Sequence, residues 1–310
     1  MSGLLDGRAA VVTGGGRGVG LAIAQALTGH GASVVIADNG TAIDGRGNAD
    51  EVAEAAAAAL GDQAAAFTGD VSDPSSAPAL VDLAVRQFGR LDIVVNAAAI
   101  LRDAFVFKGN PEDWNAVVAT NLSAAYYLLA AATPVMRAQA KETDGYDWGR
   151  VINITSTAGF YGNFGQAAYA SAKAGLFGLT RVTAMDLARA GITCNAVAPF
   201  GRTRVTETIQ PANDFQAEYK DRAMRVSPDH VARFVAYLCT SGAQEVTGQL
   251  FAVRGREVFL FDQPRPAARI VREDEDWAPE ALGEAVARDL APHFTDLTTD
   301  LEAFNTEPLV

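Results

Sequence analysis

The stretch VVTGGGRGVG, residues 11–20, joins a run of apolar residues to a segment with helical periodicity. It places Gly14, Gly18 and Gly20 between a predicted first strand and a predicted first helix. Glycines in such a turn permit a tight bend and a close ligand approach, and the N–H groups of the helix start can bind a pyrophosphate. Because a strand precedes the turn and a helix follows it, the stretch predicts a dinucleotide site.

Outside the glycine turn, short apolar runs alternate with helical segments. Strands are predicted at 9–13, 33–37, 64–67, 91–96, 150–155 and 193–198, with later ones inside 248–261. Helices are predicted at about 18–29, 49–60, 75–88, 112–138, 167–189 and 228–240. Strands that are almost entirely apolar suit a sheet covered on both faces. The repeated βα units therefore predict an α/β fold, a doubly wound parallel sheet of about seven strands with helices on both faces.

Three segments fall outside this alternation. Residues 141–149 have the composition of a surface insertion, and residues 198–216 follow a strand end with little periodicity, as a mobile lid would. After a proline-containing stretch the tail carries one amphipathic helix near 279–290. We therefore predict a dinucleotide-binding domain over 1–262 and an acidic C-terminal extension over 263–310.

An acidic residue, Asp38, ends the predicted second strand 18 residues after Gly20. A carboxylate at this point is expected to accept hydrogen bonds from the adenosine ribose hydroxyls and to repel the additional phosphate of NADP. Arg17 has the opposite effect, because a cation inside the glycine turn could pair with that phosphate. Close charge repulsion is hard to avoid, so the sequence favours NAD as the cofactor.

The stretch YASAK, residues 169–173, places Tyr169 and Lys173 one helical turn apart, so both side chains share a face. Such a pair is common on amphipathic helices, and its spacing alone predicts no chemistry. The unperturbed pKa of a tyrosine is about 10, which is high for a base near neutrality. A lysine ammonium close by would favour the phenolate, so the pair predicts proton exchange at Tyr169 if other motifs place it beside the dinucleotide.

Several further motifs occur in a fixed order: TGGGRGVG at 13–20, GDV at 69–71, NAAA at 96–99, TNL at 120–122, NITS at 153–156, YASAK, and NAVAP at 195–199. Through them, residues 5–255 resemble the short-chain dehydrogenase/reductase family, whose fold is of the Rossmann type. The resemblance implies an active tetrad of Asn121, Ser156, Tyr169 and Lys173. It implies that Ser156 binds the substrate oxygen, Lys173 holds the nicotinamide ribose, and Asn121 supports a water that links Lys173 to solvent.

The same resemblance implies a set of cofactor-binding residues: Gly14, Gly16, Arg17, Gly18, Val19, Gly20, Asp38, Asp70, Val71, Asn96, Ala97, Ala98, Tyr169, Lys173, Pro199 and Thr203. This chain departs from the family pattern at two points. Ala97 and Ala99 replace an asparagine and a glycine, and Phe200 replaces the glycine that commonly follows the proline. The second departure leaves open whether the Thr203 or the Thr206 hydroxyl reaches the nicotinamide carboxamide.

Residues 96–122 and 156–175 look like the dehydrogenase part of the peroxisomal multifunctional β-oxidation enzymes and like bacterial proteins of the 17β-hydroxysteroid dehydrogenase type 4 kind. This resemblance implies the NAD-linked oxidation of a 3-hydroxyacyl-CoA to the 3-oxoacyl-CoA. A CoA thioester carries several negative charges, which four cations could bind: Arg102, Lys108, Arg202 and Arg204. The alternative is that these four are solvated loop residues. The alternatives are a 3-oxoacyl carrier-protein reductase, a free hydroxysteroid dehydrogenase, or an NAD-binding scaffold or sensor without activity.

The net charge of −12 is concentrated in the tail. Residues 272–310 contain eleven acids and two arginines, a net of −9, which leaves −3 for the preceding 271 residues. No basic stripe with interleaved aromatic residues is present, so nucleic acid is not a predicted partner. The tail could cover a neighbouring subunit, cover the cleft, or remain solvated, and the family resemblance suggests a homodimer or homotetramer.

The expected location of the protein in the cell follows from three patterns that the sequence lacks: a signal peptide, a membrane span and a disulfide or metal framework. The start of the chain lacks the pattern of a signal peptide, and no apolar run approaches the length of a membrane span, so no membrane association is expected. The longest such run, 122–132, is interpreted as a buried helix. The chain has two cysteines and three isolated histidines without metal-ligand spacing, which predicts no metal site and a cytoplasmic, reducing environment.

Overall fold

The computed structural model describes residues 3–143, 145–146, 148–208, 210–211, 213–273 and 276–310. Its centre is an eight-stranded sheet with the order β3-β2-β1-β4-β5-β6-β7-β8. The strands are β1 Ala9–Thr13, β2 Ser33–Ala37, β3 Ala64–Phe67, β4 Ile93–Asn96, β5 Arg150–Ile154, β6 Thr193–Phe200, β7 Leu250–Arg254 and β8 Glu257–Phe261. All neighbours pair in parallel except β7 and β8, which are antiparallel. The predicted doubly wound fold is confirmed, with eight strands where about seven were expected.

The helices begin and end close to the predicted positions. They are α1 Gly18–Gly29, α2 Glu51–Leu60, α3 Ser76–Phe88, α4 Pro111–Val118, α5 Ala124–Glu142, α6 Ala158–Tyr161, α7 Ala167–Leu187, α8 Arg204–Thr208, α9 Asp214–Arg225, α10 Asp229–Leu238, α11 Pro279–Ala285 and α12 Asp300–Ala303. Local chemistry explains several of these boundaries. The Asn110 side chain accepts a hydrogen bond from the Asp113 N–H ahead of Pro111, and Gly89 adopts the left-handed conformation that ends α3.

Two helical layers enclose the sheet. On one face α1, α2 and α10 bury their apolar residues against the strands. On the other face α3, α5 and α7 do the same. The carboxyl ends of the strands stay open between these layers, and the strand order reverses between β1 and β4. In open α/β sheets this reversal creates the crevice that receives the ligand.

A single long helix was predicted at 112–138, and the structure shows α4 and α5 joined by a π turn over Ala119–Ser123. The continuous helix Pro111–Glu142 is long and apolar enough to cross a membrane by length and composition. The prediction that no apolar segment approaches this length was therefore too strict. The helix packs against α3 and α7, as core helices of soluble proteins do.

The segment 141–149 is anchored more firmly than a surface insertion would be. The Tyr146 side chain is buried, and its hydroxyl donates a hydrogen bond to Asp92 Oδ1 at 3.2 Å. The Arg8 guanidinium lies 3.8 Å from the centre of the Trp148 ring. Two residues of the segment, Asp144 and Asp147, lie outside the described residues.

The predicted lid 198–216, which was expected to lack periodicity, contains the short helix α8 and the first three residues of α9. Asn213 caps α9 by accepting a hydrogen bond from the Gln216 N–H at 2.9 Å. Ile209 and Ala212 lie outside the described residues. The mobility of this segment stays a prediction.

The end of the acidic tail lies on its own domain. The Phe304 ring packs 4.6 Å from the Phe200 ring and also contacts the aromatic rings of β8. The Arg256 N–H donates a hydrogen bond to Leu309 O at 2.7 Å, and Arg225 of α9 pairs with Glu307 at 2.6 Å. The tail therefore contacts both the β7–β8 turn and the lid of its own chain. The boundary between domain and extension at 262/263 stays a prediction.

Candidate active site

The glycine turn closes against the chain that follows β4. Gly14 and Gly18 have φ angles of 64° and 55°, which favour glycine. A Cβ atom on Gly20 would lie 2.1 Å from Gly14 O, and one on Gly14 would lie 2.9 Å from Ala98 Cα. No side chain fits at either point, so the turn presents bare backbone at the start of α1. Such a cradle fits a dinucleotide pyrophosphate.

The end of β4 and the segment after it are held by the side chains of Thr13 and Asn153, to which the sequence analysis gave no role in the site. Thr13 Oγ1 accepts hydrogen bonds from the Ala97 N–H at 3.0 Å and the Ala98 N–H at 3.2 Å. Asn96 Nδ2 donates to Asn153 Oδ1 at 2.8 Å, which ties the end of β4 to β5. Their positions in the sequence could have indicated this role, because each residue lies at or near the carboxyl end of a predicted parallel strand.

A cavity of about 200 Å³ opens at the carboxyl ends of β1, β2 and β4. Among the predicted cofactor residues, those that line it are Gly14, Asp38, Asp70, Val71 and Ala98. The others lie outside its lining: Gly16, Arg17, Gly18, Val19 and Gly20 in the turn and the start of α1, Asn96 and Ala97 at the end of β4, Tyr169 and Lys173 on α7, Pro199 in β6 and Thr203 after it. The structure therefore brings five of the predicted cofactor residues to one cavity, and the individual roles of all of them stay predictions.

Asp38 is buried at the rim of this cavity and is only 7% exposed. Its Oδ2 accepts a hydrogen bond from the Gly16 N–H at 3.1 Å, and its Oδ1 accepts from the Gly40 N–H at 2.8 Å. Arg17 pairs with the same carboxylate, at 3.3 Å between Nη2 and Oδ1. The two residues that were expected to compete over an additional phosphate therefore form an ion pair.

Ser156, Tyr169 and Lys173 come together where β5 ends. Tyr169 and Lys173 are buried on α7, and Lys173 Nζ lies 5.7 Å from the centre of the Tyr169 ring. The ammonium donates a hydrogen bond to Ile154 O at 2.9 Å, and the Ser156 side chain hydrogen-bonds with Tyr169. The arrangement places two hydroxyls and an amine past the carboxyl end of β5, on the same edge of the sheet as the glycine turn. It can exchange a proton with a bound alcohol or ketone.

Asn121 lies in the π turn between α4 and α5, and its side chain is buried. Its Oδ1 accepts a hydrogen bond from the Ile100 N–H at 2.8 Å, and its Nδ2 donates to Ile100 O at 2.9 Å. The amide thus fixes the chain that follows β4. π turns occur frequently at functional sites. The water that Asn121 is expected to support stays a prediction.

Comparisons with known proteins agree with this geometry. The profile of a family described as Enoyl-(Acyl carrier protein) reductase matches residues 14–255. A crystal structure of a short-chain dehydrogenase from Mycobacterium avium superposes with a TM-score of 0.78 at 35% identity, covering 93% of this chain and 96% of that one. The chain belongs to the short-chain dehydrogenase/reductase family. Enzymes of this family are oxidoreductases that use a nicotinamide dinucleotide.

Two relatives in this family match most of the chain. Hydroxyacyl-CoA dehydrogenase ChsB1 of Mycobacterium tuberculosis is 40% identical over 280 residues, which cover 90% of this chain and 87% of that protein. Peroxisomal multifunctional enzyme type 2 of the mouse is 33% identical over 278 residues, which cover 89% of this chain and 36% of that protein. The resemblance to the multifunctional enzymes that the motifs indicated is confirmed.

Burial sets the protonation of the Tyr169–Lys173 pair of this short-chain dehydrogenase/reductase. Burial raises the pKa of Tyr169 to about 12, and the hydrogen bond with Ser156 only partly opposes the rise. Burial also lowers the pKa of Lys173 to about 8. In the protein without a cofactor burial therefore dominates the pKa of Tyr169, and the expected lowering of that pKa by Lys173 stays a prediction. The loss of water around each group favours its uncharged form, yet at pH 7 only Tyr169 is neutral and Lys173 remains largely protonated.

The choice between Thr203 and Thr206, which the family pattern left open, is narrowed by their hydrogen bonds. Thr206 is buried, and its hydroxyl donates to Gly201 O at 2.7 Å. Thr203 is partly exposed, and its Oγ1 accepts from the Thr206 N–H at 3.1 Å. Thr203 Oγ1 also lies 3.1 Å from Thr206 Oγ1, so Thr203 is the more exposed of two linked hydroxyls, and its contact with the carboxamide stays a prediction.

The four cations suggested for a CoA substrate have different surroundings. Arg102 pairs with Asp113 at 3.0 Å and donates a hydrogen bond to Asp44 O at 2.8 Å, so its guanidinium is engaged inside the protein. Arg204 lines the same cavity as Asp38 and thus lies at the cofactor side. The two that are exposed are Lys108 and Arg202.

Proposed function

We propose that this protein is an NAD-dependent 3-hydroxyacyl-CoA dehydrogenase. The observation that carries the proposal is the convergence of Ser156, Tyr169 and Lys173 past the end of β5, on the same edge of the sheet as the glycine turn. The substrate class is supported by the match to a hydroxyacyl-CoA dehydrogenase over 90% of the chain. Exposed Lys108 and Arg202 add positive charge that suits an anionic thioester.

Oxidation of the 3-hydroxyl removes a hydride from C3 and a proton from the oxygen. A bound oxidised nicotinamide supplies the hydride acceptor, and its ring carries a positive charge. Ser156 donates a hydrogen bond to the substrate oxygen, and Tyr169 Oη in its phenolate form accepts the proton. In the reverse direction the Tyr169 phenol returns that proton to the oxygen of the ketone.

Two features of the resting site bear on this proton transfer. With the pKa of Tyr169 raised to about 12 and that of Lys173 lowered to about 8, the cofactor-free site at pH 7 holds a neutral phenol and a largely protonated amine. The phenolate becomes accessible when positive charge enters the crevice or when pH rises. Oxidation should therefore be faster in alkaline solution, and reduction should be favoured at lower pH.

The preference for NAD over NADP is proposed from Asp38. An additional phosphate on the adenosine ribose would meet this buried carboxylate. Two cations near Asp38 oppose that repulsion: Arg17 and Arg204 both donate hydrogen bonds to Thr41 O, at 2.8 and 3.0 Å. We expect Asp38→Ser to lower the NAD/NADP ratio of kcat/KM by about 10- to 100-fold, the effect of removing one close repulsive charge. Steady-state kinetics with both cofactors measure the ratio.

Asp62→Ser provides a matched control for this cofactor test, because Asp62 is an exposed acid on the turn after α2. It should leave the NAD/NADP ratio unchanged. A wild-type protein that prefers NADP would contradict the proposed role of Asp38 and would favour the alternative of a 3-oxoacyl carrier-protein reductase.

The substrate class is tested with purified protein, NAD and a panel of alcohols, followed by absorbance of the reduced cofactor. The panel contains short-chain, long-chain and steroidal 3-hydroxyacyl-CoA thioesters, free hydroxysteroids and a 3-hydroxyacyl carrier protein. We expect kcat/KM for at least one CoA thioester to exceed that for every free alcohol by about 10-fold or more. Turnover of free steroids alone would contradict the proposal, and cofactor binding without any turnover would indicate a scaffold or sensor.

We further propose that the protein is cytoplasmic and forms a homodimer or homotetramer. The helices α5 and α7 support the assembly, because they expose the large apolar side chains of Tyr126, Val182 and Met185 at 58%, 55% and 72%. Light scattering after size-exclusion chromatography measures the mass in solution. A monomer at micromolar concentration would contradict this part of the proposal.

A further inference from the structure

A carboxyl group from the acidic tail reaches the active site. Asp300 begins α12, and its side chain is only 7% exposed. Its Oδ2 accepts a hydrogen bond at 3.1 Å from the hydroxyl of Thr157, the residue that follows Ser156. The helix α12 packs against α6, the short helix between Ser156 and Tyr169. The contact joins residues that are 143 positions apart in the chain.

The second oxygen of this carboxyl, Oδ1, is buried and accepts no hydrogen bond from the described residues. Withholding solvent and partners from a carboxylate oxygen is costly and is uncommon where a residue serves only to anchor a segment. Burial raises the pKa of Asp300 to about 6, although the Thr157 hydroxyl and the backbone N–H groups at the start of α12 oppose the rise. Asp300 is therefore charged at neutral pH inside a poorly solvated pocket.

The charged and titratable groups whose fields act on the same phenols as Asp300 come from several elements. Burial is the largest cause that raises the pKa of Tyr169 on α7 and of Tyr219 on α9, and the Asp300 charge raises both further. Asp103, whose Oδ2 accepts a hydrogen bond from Gln166 at 3.0 Å, acts on Tyr169 in the same direction. Arg254 of β7 acts on Tyr219 in the opposite direction.

We propose that Asp300 is a positioning residue of the active site, through which the docked tail restrains formation of the Tyr169 phenolate. The proposal rests on the proton-transfer role of Tyr169 given above. The negative charge makes the phenolate harder to form, so the docked tail slows alcohol oxidation at a given pH and favours the phenol that ketone reduction needs. The tail of this chain thereby sets the pH range over which the two directions proceed.

The direction of the effect follows from the charge. Above pH 6 the Asp300 carboxylate is ionised and opposes a second negative charge on Tyr169. Asp300→Asn removes the charge and keeps an oxygen that can accept from Thr157. The rising limb of the pH profile for oxidation should therefore move to lower pH by about half a unit or more, which is about a threefold faster oxidation below the midpoint.

A role of Asp300 in anchoring the tail alone predicts a different result. If the residue only fastens the tail, Asp300→Asn should lower the unfolding temperature or raise KM while leaving the midpoint of the kcat profile in place. Asp296→Asn is the matched control, since Asp296 is a fully exposed acid of the same tail and the change in charge is identical. It should move neither the midpoint nor KM.

The deciding experiment measures the titration of Tyr169 directly. Tyrosinate absorbance is recorded against pH in the cofactor-free protein, and the same titration of Tyr169→Phe is subtracted, so the readout needs no substrate. We expect the isolated titration to shift to lower pH in Asp300→Asn and to stay in place in Asp296→Asn. Asp300→Ser replaces the asparagine variant if that variant does not fold.

The outcomes separate this inference from the proposed function. An unchanged Tyr169 titration in both Asp300 variants overturns the inference, even if the enzyme oxidises 3-hydroxyacyl-CoA. A shifted titration supports the inference even if the substrate proves to be a different alcohol. A shift of equal size in Asp296→Asn would also overturn it, because the effect would then belong to the total charge of the tail.

Discussion

Tyr169→Phe is expected to lower kcat for alcohol oxidation by about 10³- to 10⁴-fold, the contribution of a well-placed general acid–base group. The phenyl ring keeps the shape and burial of Tyr169 and removes the hydroxyl that takes the proton. Burial has raised the pKa of this hydroxyl to about 12, so the wild-type rate of oxidation should rise with pH. The residual activity of the variant should lack that rise. Initial rates across the alkaline range measure both effects.

Two controls accompany this variant. Binding of NAD, followed by quenching of protein fluorescence, should change little, because the glycine turn and Asp38 remain intact. Tyr237→Phe removes an exposed phenol on α10, which packs on the opposite face of the sheet from α7, and should retain wild-type activity. A Tyr169→Phe protein with more than about one tenth of wild-type activity would exclude Tyr169 as the proton-transfer group.

Lys173→Met is expected to abolish turnover and at the same time to stabilise the fold. Lys173 is 2% exposed, and its pKa is lowered from 10.5 to about 8. At pH 7 the buried ammonium therefore costs about 3 kcal/mol relative to the unfolded chain. Methionine removes this cost but leaves Ile154 O without the donor at 2.9 Å, a loss of about 1 kcal/mol. The unfolding free energy should rise by about 1–2 kcal/mol.

The pH dependence of stability distinguishes this cause from better packing. Because the folded pKa of Lys173 lies below the unfolded one, the unfolded chain binds more protons between pH 8 and 10.5. Wild-type stability should therefore gain a component that grows through this range, and Lys173→Met should lack it. Urea denaturation at pH 7 and pH 10 measures the difference.

Lys141→Met is the matched control, since Lys141 is an exposed lysine near the end of α5. It should change the unfolding free energy by less than about 0.5 kcal/mol. A Lys173→Met protein that is less stable than wild type at pH 7 would show that the Lys173 ammonium is compensated by its surroundings. In that case the functional site would carry no cost in stability.

The sequence predicted the parts of the fold that depend on local pattern. The strand β1 and the helix α1 could be located to the residue, because an apolar run, a glycine turn and helical periodicity follow one another directly. The parallel arrangement followed from the alternation of such units. The π turn at Ala119–Ser123 was not predictable, because neither a proline nor a glycine in ATNLS marks a departure from a regular helix.

The candidate site shows the same division. The association of Ser156 with Tyr169 could be predicted from ordered motifs, since both lie close to the end of β5. Asp300 could not, because nothing in the composition of an acidic tail distinguishes a carboxyl that becomes buried from the other acids of the tail. The pKa directions of Tyr169 and Lys173 were also beyond sequence reasoning, since they depend on how much water each group loses and not on their spacing.

The π turn has a consequence for how this gene can change. A five-residue turn accommodates one residue more than a regular α-helix, so the loss of a single codon between Ala119 and Ser123 would restore an unbroken helix. Because the turn had absorbed the additional residue, α4 and α5 would keep their relative orientation, and only the side chains of the turn itself would change direction. Asn121 would no longer hold both backbone groups of Ile100. Selection should therefore tolerate many substitutions along this helix but very few changes in its length.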